Sequence, residues 1–380
     1  MRINKITLKN WKNFSEANVS LDTRLFIVGA NASGKSNFLD ALRFMRDIVK
    51  HGGGLQYALS LRGGLSKIRC LAARAEPGVG IKLEFSEDKN KWVYDLSIVR
   101  QQSGNHKPLI QHEVVVRNNT LILDRPSAED KDDEERLTQT HLEQITTNKD
   151  FREIVRYLET IHYLHLVPQL LRFPEAFSGQ DLPDDPFGKG FLQKVAKTPE
   201  KTRHSRLTKI QKVLQNAVPQ LENLEYKEET GHPHLEVTYK HWRARGAKQM
   251  ESQLSDGTLR LIGFLWMLLD GQGLLLLEEP ELSLHPGIVG KLPALMYSVQ
   301  RSKKQQPRQI LLTTHSAELL SDRSISLSEI IMLLPENEGT KVEAANTKED
   351  IKALLEGGLT PGESVMPSTA PQIDSGLSLQ

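Results

Sequence analysis

The stretch Gly29-Ala30-Asn31-Ala32-Ser33-Gly34-Lys35-Ser36 decides how this chain is read. Its glycines let consecutive backbone N–H groups turn inward and form an anion-binding concavity. Lys35 brings a mobile positive charge for the outer phosphates of a nucleotide, and the Ser36 hydroxyl is placed to ligate Mg²⁺. Upstream, Leu25-Phe26-Ile27-Val28 reads as a buried strand; downstream, residues 37–45 carry apolar side chains at helical spacing. A strand–loop–helix context aims the positive end of a helix at the phosphates. Gly29, Asn31, Ser33, Gly34, Lys35, Ser36 and Asn37 are therefore the candidate nucleotide-contacting residues.

The rest of the chain bounds the setting. Its 380 residues suffice for one large domain or two. A net charge of +1 gives no global field toward nucleic acid or anionic membrane, so any such surface must be local. The single cysteine, Cys70, excludes an internal disulfide and fits a reducing compartment; a small buried side chain is its expected role. The start, Met1-Arg2-Ile3-Asn4-Lys5, lacks the apolar core of a signal peptide. The longest apolar run, from Leu259 to Leu277, is broken by Arg260, Asp270, Gly271, Gln272 and Gly273, which argues against a membrane span. A soluble, cytoplasmic protein with no membrane partner is expected.

Periodicity predicts short strands before the loop, then at 80–85, 92–99 and 112–116, and a helical stretch from about 128 to 171. Residues 179–190, rich in Pro, Asp and Gly, read as a loop, followed by a helix over 207–214 and a strand over 235–239. A helix near 257–270, a strand at 274–277, a helix at 287–301 and a strand at 310–314 follow. No repeat appears, and 80–250 carries no sustained heptads, which excludes a long coiled-coil arm.

A second group of motifs answers the loop. Leu274-Leu275-Leu276-Leu277-Glu278-Glu279-Pro280-Glu281 describes a buried strand presenting carboxylates at a sheet edge, where ligands bind in open α/β folds. Nucleotide hydrolysis needs one carboxylate for the metal or its water shell and another to orient the attacking water; Glu278 takes the first role and Glu279 the second. Gln309-Ile310-Leu311-Leu312-Thr313-Thr314-His315 is another buried strand, and His315 at its end is a candidate γ-phosphate sensor. In Leu254-Ser255-Asp256-Gly257-Thr258-Leu259-Arg260, Ser255 caps an amphipathic helix.

In this order the motifs resemble the ABC-type ATPase heads of the RecF, SMC and OLD-like group, and more narrowly stand-alone bacterial ATPases with SDGTLR followed by LLLLEEPELSLHP. Tyr163-Leu164-His165-Leu166-Val167-Pro168, Asp185-Pro186-Phe187-Gly188 and Pro233-His234-Leu235-Glu236 look like features of that subgroup, so the resemblance covers most of residues 1–360. It implies an α/β P-loop NTPase: an ABC-ATPase-like head with a mixed sheet and an inserted α+β region between the loop and the signature. The expected division is 1–75 and 251–345 for the head, 76–250 for the inserted region, and 346–380 for a segment largely mobile after 357. ATP and Mg²⁺ are the implied ligands, with Lys35 and Ser36 on phosphate and metal and Glu279 as catalytic base. Ser255 and Gly257 would act across a dimer, and His315 would be the switch histidine. Asp256 departs from the common pattern by replacing a glycine, which puts a negative charge near the opposing γ-phosphate. Glu278 replaces the commoner aspartate. Gln56, Gln101 and Gln102 are candidates for the glutamine loop.

Weaker signals point elsewhere. His232 and His234 have no acidic or cysteine partners at metal-ligand spacing. Lys240-His241-Trp242-Arg243-Ala244-Arg245 with Lys248, and Arg301, Lys303, Lys304 and Arg308, are basic patches; charge runs are usually solvated faces, but either is a candidate for DNA or RNA phosphates. The function expected is an ATP-hydrolysing, dimerising switch that controls a nucleic-acid-processing partner in anti-phage defence or DNA maintenance. About 65 residues follow His315, too few for a TOPRIM-type nuclease domain, so a separate nuclease or TOPRIM-like polypeptide is the expected effector. The alternative is an ATP-gated scaffold or sensor with little turnover, motivated by Asp256. A transporter ATPase fits poorly, given the 80–250 region and Ser283-Leu284-His285-Pro286.

Overall fold

Residues 1–72, 78–101, 106–177, 184–240, 247–301 and 308–370 are described by the computed structural model. Strands β1 (Arg2–Trp11) and β2 (Phe14–Ser20) form a hairpin, and β3 (Arg24–Gly29) leads into the loop and the helix Lys35–Val49. Next come β4 (Val79–Glu87), β5 (Asn90–Arg100), β6 (Pro108–Arg117) and β7 (Thr120–Arg125). They join the first hairpin in an antiparallel sheet of order β2-β1-β4-β5-β6-β7. Ile3 and Ile6 differ in parity along β1, yet both are buried. A register shift between Ile3 and Lys5 returns them to one face.

The short strand β8 (His162–Leu164) is followed by a separate three-stranded sheet of β9 (Leu221–Glu229), β10 (His232–Tyr239) and β11 (Ala247–Met250), with the helix Glu200–Ala217 packed on β9. The remaining strands are β12 (Leu275–Glu278), β13 (Ile310–Thr314), β14 (Ile330–Glu336) and β15 (Gly339–Ala344). They complete a mixed sheet, β15-β14-β3-β13-β12-β8, in which only β15 runs antiparallel to its neighbour.

This sheet is covered on both faces, which is why its strands are continuous apolar runs rather than alternating ones. Leu274, Leu276, Leu311, Leu25 and Ile27 join the core shared with the helix Lys35–Val49 and the antiparallel sheet. Leu275, Leu277, Leu312, Phe26 and Val28 face the other way, into a core built around the helix Asp256–Leu269. That helix is buried from Leu259 to Leu269 without interruption, more enclosed than an amphipathic pattern predicts. Gly263 permits it: a Cβ there would lie 2.9 Å from Leu171 and 3.1 Å from Leu166.

Three expectations change. The stretch 128–171 is not one helical region: the helices Ala128–Asp132, Arg152–Glu159 and Pro168–Arg172 flank β8. The helix expected over 287–301 is divided into Pro286–Val289 and Leu292–Arg301. The chain after Gly357, expected to be mobile, instead forms the helix Pro361–Thr369, capped by Thr360 and Glu363. It docks on β14, β3 and the turn Leu319–Ser321, with Val365 fully buried. Of the chain after Gly357, 371–380 lie outside the described residues. Few large apolar side chains were needed because Gly362 lets its backbone close on Ala317 O, 2.3 Å from a Cβ built there. Val365→Ala should therefore cost about 2 kcal/mol, read as a lowered denaturation midpoint.

Candidate functional site

The loop between β3 and its helix is held by one residue of the β1–β2 turn and one of β15. Gly34 adopts φ +99°, and a Cβ there would lie 2.0 Å from Asn13 Nδ2. Asn13, in the β1–β2 turn, donates to Ser33 O at 3.0 Å and to Thr340 Oγ1 at 2.7 Å. Thr340 Oγ1 donates in turn to Ser33 O at 2.9 Å. Asn37 donates its side-chain amide to Asn13 Oδ1 at 2.8 Å, which braces the loop from within. Asn31 is exposed at the loop tip, whereas Ser33 is fully buried and its hydroxyl has no hydrogen-bond partner. Lys35 Nζ donates to Gly29 O at 2.9 Å and Ala30 O at 3.1 Å. Burial holds its ammonium below the usual lysine range, against the opposing pull of Glu279, Glu281 and Glu278.

The acidic residues arrive on the ends of β12 and the turn behind it. Glu278 accepts from Ser36 Oγ with one oxygen and from the Tyr163 hydroxyl with the other. Burial first, then Glu278, pushes the Tyr163 phenol upward, so it remains a donor across the physiological range. Arg43 stacks over the Tyr163 ring at 4.0 Å. Glu279 sits at φ +45°, an unusual position for a non-glycine residue. Its N–H is pinned to Thr313 O and Oγ1, both at 3.2 Å. Its carboxylate lies 3.2 Å from His315 Nδ1. Glu281 is buried and accepts from Thr314 Oγ1 at 2.6 Å; burial raises its pKa.

The helix tip at Ser255 stands apart from this group. Ser255 is exposed, accepts from Thr258 N–H at 3.2 Å and pairs with Thr258 Oγ1 at 2.8 Å. Gly257 has a packing reason: a Cβ would lie 2.6 Å from Ser283 O. Arg260 turns inward to Leu282 O at 3.2 Å, below Glu279 and Glu281, and burial lowers its pKa. Asp256 is not an open negative charge, as the sequence suggested. It lies 2.6 Å from Arg172 Nη2 and accepts from Gln169 Nε2 at 3.1 Å.

Other expectations fall away from the site. The Gln56 side chain donates to Pro108 O and Thr138 O and not to the carboxylates, the Gln101 backbone N–H pairs with Lys107 O, and Gln102 lies outside the described residues. So do 241–246 of the first basic patch, and 302–307 with Lys303 and Lys304, as does the Arg301 side chain. Lys248 pairs with Glu236, and Arg308 is buried against the carbonyls of Met267, Asp270 and Gly273, which makes it a strut rather than a nucleic-acid contact. His234 pairs with Glu251 at 2.8 Å. Among the described residues no helix is long and apolar enough to cross a membrane.

The donor set fits a nucleotide with its metal. A buried unpartnered hydroxyl, a left-handed glycine and a helix N-terminus suit phosphate, while Ser36 and Glu278 meet as the hard oxygen donors Mg²⁺ takes. Residues 25–321 match the family described as "AAA domain, putative AbiEii toxin, Type IV TA system". The chain belongs to that family. The fold of this family member is also that of SMC heads. The SMC head domain from Thermotoga maritima superposes with a TM-score of 0.51 at 15% identity, covering 90% of this chain and 99% of that one. An SMC head bound to the C-winged helix domain of ScpA gives 0.56 at 13% identity, covering 90% and 98%. The chain thus has the P-loop fold of an SMC head, with a mixed α/β core. Endonuclease GajA of Bacillus cereus (strain VD045) is 49% identical over 47 residues, 12% of this chain and 8% of that protein's length.

Tyr163, Asn13, Glu281 and Thr313 were missed as site residues. Only Tyr163 had a local signal: an apolar run closed by Pro168 reads as a strand as readily as a helix. Asn13→Ala should unclasp the loop and weaken a fluorescent ATP analogue about tenfold, an order consistent with losing two or three partly buried hydrogen bonds. Equilibrium titration measures this, and unchanged affinity would mean the clasp does not shape the cradle.

Proposed function

We propose that this chain is an Mg²⁺-dependent, ATP-hydrolysing ABC-type head of the RecF, SMC and OLD-like group. Two copies close around ATP and regulate a nucleic-acid-processing partner in the bacterial cytoplasm, in anti-phage defence or DNA maintenance. The observation that carries this reading is the meeting of Ser36, Glu278, Glu279 and His315 at one sheet edge, beside a loop built for phosphate. Lys35, Gly29, Asn31, Ser33 and Gly34 bind the phosphates. Ser36 and Glu278 would hold Mg²⁺, which supplies charge neutralisation on the phosphates. Glu279 orients the attacking water and takes its proton, and His315, bonded to that carboxylate, sits where loss of the γ-phosphate is felt.

The cradle lacks one element that the same chain carries elsewhere. The Ser255 helix tip is exposed and points a capped N-terminus at solvent, which suits the γ-phosphate of nucleotide held by a second copy. Each site then needs its partner's tip, and a twofold, isologous pair supplies both. The short match to a protein named an endonuclease supports a nuclease or TOPRIM-like partner polypeptide. The competing reading, an ATP-gated scaffold with little turnover, drew on an uncompensated Asp256, and the ion pair to Arg172 removes that motive.

Glu279→Gln should lower ATP turnover about 100-fold or more while leaving an ATP-dependent dimer, read by light scattering. Equal, near-zero rates in wild type and variant would favour the scaffold instead. Ser255→Ala should impair hydrolysis with ATP binding intact. Collapse of ATP affinity in that variant, with hydrolysis persisting in the monomer, would remove the two-copy arrangement.

A further inference from the structure

A carboxylate in the first turn of a helix normally strengthens that helix and spoils its N-terminus for an arriving anion, because it uses up the same positive end. Asp256 occupies that position, one residue after the exposed Ser255 cap. The structure contains a specific remedy. Arg172 ends the short helix Pro168–Arg172, and its Nη2 lies 2.6 Å from both Asp256 Oδ1 and Leu254 O. One guanidinium nitrogen thus grips the residues on either side of Ser255. Gln169, on the same short helix, donates to the other carboxylate oxygen at 3.1 Å. The Arg172 side chain is only 17% exposed, so its charge is spent on these partners more than on water.

We propose that Arg172 is a positioning residue for the signature turn: it neutralises Asp256 and fixes the backbone around Ser255, so that the turn can accept the terminal phosphate of a nucleotide held by a second copy. The inference rests on the two-copy reading above. Without Arg172, the carboxylate would face the incoming phosphate with its own charge, and the Leu254–Asp256 backbone would lose its tether. The role belongs to the partner's nucleotide, so the chain's own Lys35 cradle should not sense it.

The test is a charge cycle with ATP as the probe, reading turnover, ATP affinity and ATP-dependent dimerisation in the full chain. Arg172→Ala should lower turnover and dimerisation about tenfold or more, with affinity for a fluorescent ATP analogue unchanged. Adding Asp256→Asn to Arg172→Ala should recover about threefold or more of the lost turnover, the share due to the offending charge, while the lost tether to Leu254 O keeps it below wild type. Arg172→Lys should retain part of the activity, and Asp256→Asn alone should not fall below wild type. A purely structural strut predicts the reverse for the double variant, with no rescue and a lowered melting temperature. Wild-type turnover in Arg172→Ala, or a folded double variant that stays inactive, overturns the proposal. Absence of ATP-dependent pairing in the wild type overturns the two-copy reading, and this proposal with it.

Discussion

Parallel pairing of β8, β12, β13, β3 and β14 carries five strand ends to the same edge of one sheet, and the site is a consequence of that convergence. Register does the rest. Glu278 lies opposite Thr313, Leu277 opposite Leu164, and Thr314 opposite Val28. Residues more than 200 positions apart in sequence therefore meet within hydrogen-bond distance without any long loop to position them. A parallel sheet needs cover on both faces, and the two apolar cores supply it. A change of one residue in the parity of β12 would exchange the two cores and carry Glu278 away from Ser36.

The edge is chemically unbalanced. Glu278, Glu279 and Glu281 gather around Lys35, with Arg260 buried behind them. Tyr163 and Ser36 satisfy both oxygens of Glu278, and Thr314 satisfies one of Glu281. Hydroxyls that donate to these carboxylate oxygens set the direction in which each group points. The loop is braced by hydrogen bonds to Asn13 and Thr340, both donors to one carbonyl. The cradle thus owes its shape to the antiparallel sheet as well as to its own glycines.

Much of this was legible locally. The cradle, the acidic strand and the His315 strand are contiguous motifs whose residues make their own element, and each was found where expected. What escaped detection depended on partners distant in sequence. β8 is three residues long and becomes a strand through pairing with β12; its sequence alone is compatible with a helix. The terminal helix owes its docking to a close backbone approach at Gly362, which composition does not reveal. Asp256 looked like a defect because Arg172 stands 84 residues away. The packing requirement for glycine at Gly257 escaped notice because the carbonyl of Ser283 cannot be seen from its neighbours.

The sequence by itself determined the strand–loop–helix that suits a triphosphate, the run of buried leucines ending in carboxylates, and the capped helix after Ser255. These follow from side-chain period, glycine freedom and capping chemistry within a few residues. Tertiary structure decided which hydroxyl holds each carboxylate, which amide clasps the loop, and whether the acid beside Ser255 is bare or paired. Such choices rest on distances across sheets and between helices. They are set by register and packing, which no short window of sequence contains.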